Sequence, residues 1–360
     1  TSKEGDWSCS DDCFDLSHPD VTARMLRMSA ERRIAPTYPP PEGAASVRDA
    51  LRALRSAGAS VAHSEQALET RPTASEPPRL QRAEPIEGDE VRVRRVEGEP
   101  TVGVAAFLDG IQESRVLAHW PGGIPLVHGT VAATIRRRVG RALATWRADA
   151  TRVERALFVP RAALGDPAWR AIAEGCAVRD TLEPGEGGPW HPQALTARAL
   201  SAVQRRREAA ETACAELWCA EGDGPLFVDG GIASAGSAAQ SALAIGVVKS
   251  HRTLYVDADA LQRVLGLAAG ERTTAFTVAS PRRTAVASWY LRLRDPAARD
   301  ALWGLVRVEV AVAGATPERC DLVSRWLLAE RSPVSLPDPR WGAMAYGIRL
   351  TEEYLRALTR

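Results

Sequence analysis

At 360 residues, with 45% apolar and 25% charged side chains, the chain has the makeup of a soluble globular protein and the length for one large domain or two ordinary ones. A net charge of +1 excludes a global field that would drive it onto nucleic acid, so any such binding needs a local patch. No apolar run reaches the roughly 18 residues of a membrane span, and the acidic, polar start TSKEGDWSCSDDCFDLSHPD has no signal-peptide core, so a cytoplasmic location is expected.

Residues 1–90 read as a helical and irregular extension. VTARMLRMSAERR and SVRDALRALRSAGASVAHSEQAL have helical spacing, but TYPPPEG between them stops any helix. RPTASEPPRLQRAEPIEGDE then reads as a linker. From 91 to 360 a second domain is expected, opening with strands. VRVRRVEG alternates, TVGVAAFLDG is a buried strand ending in Asp-Gly, and SRVLAHW and GIPLVHGTVAATI follow as an antiparallel meander, with RALFVP soon after. DTLEPGEGGPWHPQ is a loop, and ALTARALSAVQRRREAAETACAELWCA is a long helix. PLFVDGG and ALAIGVVKSH are buried strands joined through IASAGSAAQS, and DADALQRVLGLAAG is a helix. TTAFTVA, RRTAVASWYLRLR and LWGLVRVEVAV are three more strands, closed by the helices PERCDLVSRWLLAE and YGIRLTEEYLRALTR. Meander, helix, then strands with crossovers make a mixed-sheet α/β fold with both faces at least partly covered.

The cysteines are expected to be reduced thiols, since a chain of this size does not need disulfides. Cys9, Cys13 and His18 lie near one another, but no second Cys pair completes a zinc set. Asp109 and Asp229 each end an apolar run and precede Gly. One such pair is an ordinary strand-exit turn; two of them, on neighbouring strands, would bring carboxylates together at one sheet edge. Such a set suits hard divalent cations. The preceding helix offers Glu208, Glu211 and Glu216 as a third acid. Two-metal phosphodiester hydrolysis asks for this kind of set.

The order of FLDG, RRREAAE, LFVDGG, IGVVKSHR, SWYLRL and VRVEVAV resembles the NurA-type nucleases, over residues 100 to 350. The resemblance implies an RNase H-like fold, a site for two manganese or magnesium ions, and DNA cleavage as a 5′-3′ exonuclease or single-strand endonuclease. It also implies a homodimer working with a HerA-like hexameric ATPase in DNA end processing or defence against phage. On this resemblance Asp109, Glu208 and Asp229 match the metal ligands, with Glu211 as the alternative to Glu208, and Lys249 matches a lysine beside the site. Arg307 and Glu309 match an Arg-Val-Glu-Val strand of structural or other role.

Two departures stand out. The family's Asp-Gly-Ser reads DGIQES here, leaving Ser114 displaced, and Tyr346 stands where a C-terminal histidine is expected. His251, two residues after Lys249, would share its face in a strand and is a candidate replacement. His119 and His128 read as packed strand histidines. The runs Arg136, Arg137, Arg138 and Arg205, Arg206, Arg207 are either solvated helix faces or patches for the nucleic-acid backbone. Of 46 basic side chains only Lys3 and Lys249 are lysines, which gives Lys249 a catalytic reading beside that of simple drift. The departures motivate a second reading, a catalytically weakened RNase H-like subunit that binds DNA or assembles the complex. No Walker A loop, GxGxxG after a strand, or HExxH is present, so ATP dependence would come from a partner.

Overall fold

A computed structural model describes residues 47–61, 77–140, 142–281, 283–296, 299–331 and 346–359. The helix expected in VTARMLRMSAERR and the group Cys9, Cys13 and His18 lie outside them. The framework is a large mixed sheet whose centre is β1 (Ala106–Trp120), β2 (Ile124–Val139), β3 (Arg152–Val159), β4 (Leu226–Asp229) and β5 (Ala244–Val248). β1, β2 and β3 form an antiparallel meander. β4 lies parallel to β1, and β5 lies parallel to β4 on its far side. The spatial order β3-β2-β1-β4-β5, with a helix between β3 and β4, is the RNase H-like arrangement. The sheet continues beyond β5 through β6 (Phe276–Ser280), β7 (Arg283–Arg292) and β8 (Leu305–Ala311), in the order β5-β8-β7-β6 and antiparallel throughout.

Helices α1 (Val47–Ser56), α2 (Pro192–Glu221), α3 (Ala258–Leu265), α4 (Pro317–Glu330) and α5 (Tyr346–Thr359) cover it. α2 starts with Pro at its first turn and His191 accepting from the Gln193 N–H at 3.2 Å, a standard helix entry. Strand alternation assigns the two faces. Ala106, Leu108, Leu226 and Val228 join Cys214, Ala215 and Trp218 of α2 and Ala260 and Val264 of α3. Phe107, Phe227, Ile245 and Val247 join Val323 and Leu327 of α4 and Ile348 of α5. Residues ahead of 91 also contribute: Leu54 of α1 packs with Leu117, Leu126 and Leu157, and Glu84–Pro85 pairs with β6. Among the described residues no helix is long and apolar enough to cross a membrane.

The structure corrects one strand boundary. FLDG does not end at an Asp-Gly turn, and SRVLAHW is not a separate strand. Both belong to β1, because β2 opposite runs unbroken and pairs Asp109 with Thr134 and Gly110 with Ala133. The register slips only between Val116 and Ala118. At the other Asp-Gly the strand does end: Gly230 has φ 117°, a conformation that favours glycine.

Away from the sheet centre, the fully buried Arg272 donates to Asp321 at 2.5 Å and to Glu87 at 2.7 and 3.1 Å. Burial raises the Glu87 carboxyl, but Arg272, the Ala275 N–H and Arg94 together bring it below its ordinary value of 4.5. A depressed carboxylate contributes stability that is present above its unfolded value and lost as pH falls through the folded one. Arg272→Met should therefore cost about 3–5 kcal/mol at neutral pH, because it takes the shared cation from two buried carboxylates and leaves Glu87 to Arg94 and the Ala275 N–H. Urea unfolding measures this, and a loss below about 1 kcal/mol would show that the pair is not needed.

Candidate active site

The parallel strands β1, β4 and β5 bring three chemical groups to one edge. The register sets Leu226, Phe227 and Val228 beside Ala106, Phe107 and Leu108, so the next step places Asp229 level with Asp109 on the adjacent strand. Neighbouring strands are about 4.8 Å apart. Asp109 and Asp229 each lie two residues beyond a phenylalanine of the α4 and α5 face, and Lys249 lies two beyond Val247, which is on that face too. Lys249 Nζ sits 2.6 Å from Asp229 Oδ1 and 2.7 Å from Oδ2.

Glu211 arrives from α2. A Cβ at Gly110 would lie 2.3 Å from Glu211 Oε1, so the glycine after Asp109 serves a close approach of helix to strand, not a turn. Arg207, one turn earlier on α2, donates from Nη1 to Glu211 Oε1 at 2.5 Å and from Nε to Gln112 Oε1 at 3.0 Å. The loop leaving Asp229 is clasped from β8. Glu309 Oε2 accepts the Ile232 N–H at 2.7 Å and the Ala233 N–H at 3.4 Å, while Arg307 Nη1 holds Glu309 Oε1 at 2.5 Å. That gives the Arg-Val-Glu-Val strand a supporting role at the site.

Electrostatics reflects this crowding. Asp109 is 7% exposed, and burial, the Asp229 charge and the Glu211 charge hold its carboxyl well above the ordinary 3.8, against Lys249 and the Gly110 N–H. Burial also pushes Glu211 up to about 7, aided by Asp229 and Glu208 and opposed by Arg207. Among the described residues no three of His, Cys, Asp and Glu are grouped closely enough to hold a metal ion as they stand. Lys249 and Arg207 instead engage two of the carboxylates. The donor set is nevertheless oxygen only, acidic and short of positive charge, which fits a hard divalent cation in kind.

Of the residues expected at the site, Asp109, Asp229 and Lys249 share the strand ends, and Glu211 lies near enough for its charge to act on Asp109. Glu208 is not. Its side chain is 52% exposed and accepts from Gln204 at 2.8 Å. Glu211 has the inward place because it heads the i, i+3, i+4, i+7 stripe of Cys214, Ala215 and Trp218. That stripe was a usable sequence signal. His251 does not share a strand face with Lys249, since β5 ends at Val248. Its Nε2 is 2.9 Å from the Leu305 carbonyl, tying it to β8, and burial lowers its pKa. Tyr346 is the first residue of α5. Ser114 is buried on β1, about 17 Å along the strand from Asp109. His128 is packed and held to about 4, by burial first and then by Arg115 and Arg155, while His119 is exposed.

The arginine runs do not form common patches. Arg136, Arg137 and Arg138 lie on β2, so successive side chains face opposite ways. Arg136 donates to Thr145 at 3.0 Å and stacks 4.2 Å from the Tyr354 ring centre. Arg137 pairs with Asp223 at 2.5 Å, and Arg138 bonds the Val104 carbonyl at 3.1 Å and Glu330. On α2, Arg205 is exposed, Arg206 holds Glu154 at 2.6 Å, and Arg207 faces the site. The Gln112–Arg207 contact and the Glu309 clasp were not anticipated from sequence, because each joins elements far apart in the chain.

No family model and no curated protein matches the chain. Among solved structures it is similar to the NurA nuclease from Sulfolobus solfataricus, at 11% identity and a TM-score of 0.39, covering 73% of this chain and 85% of that one.

Proposed function

We propose that the chain is a divalent-metal-dependent nuclease that hydrolyses DNA phosphodiesters. The observation that carries this reading is the placing of Asp109 and Asp229 level on adjacent strands beside Lys249, with Glu211 near enough for its charge to act on Asp109, at the centre of a sheet with strand order β3-β2-β1-β4-β5. Asp109, Asp229 and Glu211 would hold manganese or magnesium. When bound, the ions supply an activated water and charge stabilisation at the leaving oxygen. The side chains set the rest. Loss of protons from Asp109 and Glu211 exposes their charge, and Lys249, released from Asp229, turns its ammonium to the scissile phosphate. Glu309 and Arg307 keep the loop after Asp229 in place. Exposed Arg205 is the member of the arginine runs best disposed toward a nucleic-acid backbone.

A HerA-like ATPase ring is the proposed partner and a homodimer the proposed assembly. The 360 residues hold no Walker A loop, so translocation would be supplied from outside them. The test is end-labelled single- and double-stranded DNA, with an RNA of the same sequence, incubated with manganese or magnesium. Cleavage of DNA that stops on chelation is expected. Cleavage of RNA alone would move the substrate. DNA binding without cleavage under either ion would support the assembly subunit instead.

A further inference from the structure

We propose that Arg207 is a positioning residue that fixes Glu211 against the backbone of β1, rather than a contact for nucleic acid. The proposal rests on the nuclease reading above. Arg207 and Glu211 are four residues apart on α2, so their side chains lie on one face. The Arg207 guanidinium spans two elements, with Nη1 2.5 Å from Glu211 Oε1 and Nε 3.0 Å from Gln112 Oε1 on β1. Gly110 and Gln112 share a face of β1, and Glu211 Oε1 fills the space of the missing Gly110 side chain. Gly110, Gln112, Arg207 and Glu211 thus close a ring between strand and helix. Within it the Glu211 carboxylate is held from one side by the Gly110 backbone and from the other by a guanidinium.

The neighbouring arginines sharpen the assignment. Arg205 is exposed and Arg206 is taken up by Glu154, whereas the Arg207 side chain is only 25% exposed and points inward. Two acceptors in fixed directions suit a planar fork and not the point charge of lysine. Gln112 lies within DGIQES, the stretch where Asp-Gly is not followed by Ser, and its amide oxygen gives that stretch a partner on α2.

The test compares Arg207→Gln, Arg207→Lys and Gln112→Leu with the wild type, after thermal melting confirms folding. Gln112→Leu retains the charge of Arg207, so it stands as a second arm if Arg207→Gln does not fold. Manganese affinity by calorimetry is the readout besides activity. Arg207→Gln should weaken it about tenfold, as loss of a group orienting a ligand does. Gln112→Leu should weaken it less, and Arg207→Lys should restore little. Loss of cleavage should fall on kcat, with DNA affinity in chelator unchanged. Unchanged or tighter manganese binding would make Arg207 a mere competing charge and overturn the proposal. So would weaker DNA binding at unchanged manganese affinity. If the wild type binds no manganese, the nuclease reading fails by itself. The clamp is then judged by a metal-free crystal structure of Arg207→Gln, in which a Glu211 still seated on Gly110 overturns it.

Discussion

Asp109→Asn is expected to lower metal-dependent DNA cleavage by about a thousandfold or more, the several kcal/mol that a catalytic metal contributes, while making the metal-free protein more stable at pH 8. Both effects come from one feature. Asp109 is buried on β1 beside Asp229 and Glu211, and its carboxyl is held well above its ordinary value. An acid whose folded pKa is raised binds its proton more tightly folded than unfolded. Its contribution to stability therefore falls as pH rises from the unfolded value through the folded one. At pH 8 the native chain bears the cost of that charge, or of keeping it protonated. Asparagine removes the charge and keeps an oxygen for the Gly110 N–H, which Asp109 Oδ1 now accepts at 2.8 Å. The gain in melting temperature should shrink as pH falls and vanish only below the ordinary value of 3.8, where the wild-type carboxyl carries its proton in both states. A variant that cleaves like the wild type, or that melts earlier at pH 8, would show that Asp109 is not the strained acid of a metal site.

The same pair of groups shows how far the sequence could be read. α4 was legible to the residue as PERCDLVSRWLLAE, because capping by Thr316, Pro at the first turn and apolar spacing all agree over Pro317–Glu330. The mixed sheet followed from the order of strands and helices. The Asp109–Gly110 step was misplaced because Asp-Gly looks alike in a turn and at a close approach. What distinguishes them is β2 on one side and Glu211, a hundred positions on, above the glycine. Glu208 was preferred over Glu211 from motif resemblance, although the buried stripe of α2 favours the latter. The arginine runs were read in a line, whereas Arg136 to Arg138 alternate along a strand and find their partners on distant elements.

Lys249→Arg is expected to lower cleavage by about a hundredfold, the scale on which a single misplaced charge donor acts, while DNA affinity stays within about threefold. Lys249 bridges both oxygens of Asp229 at 2.6 and 2.7 Å from a side chain that is 27% exposed, so it is near the surface and able to swing away. Arginine keeps the charge but offers a planar fork that pairs with a carboxylate in bidentate fashion and would hold Asp229 more firmly. Lys249→Met separates charge from shape. Lys249 is among the groups that bring the Asp109 carboxyl down, so its loss drives Asp109 further up. The rise of cleavage with pH should then move to higher pH in the Met variant and stay in place in the Arg variant, whose charge remains. pH–rate profiles of the three proteins read both effects at once. If Lys249→Arg cleaves at the wild-type rate, Lys249 is only a counter-ion for Asp229. In an otherwise arginine-rich chain, the lysine after Val248 would then be drift rather than chemistry.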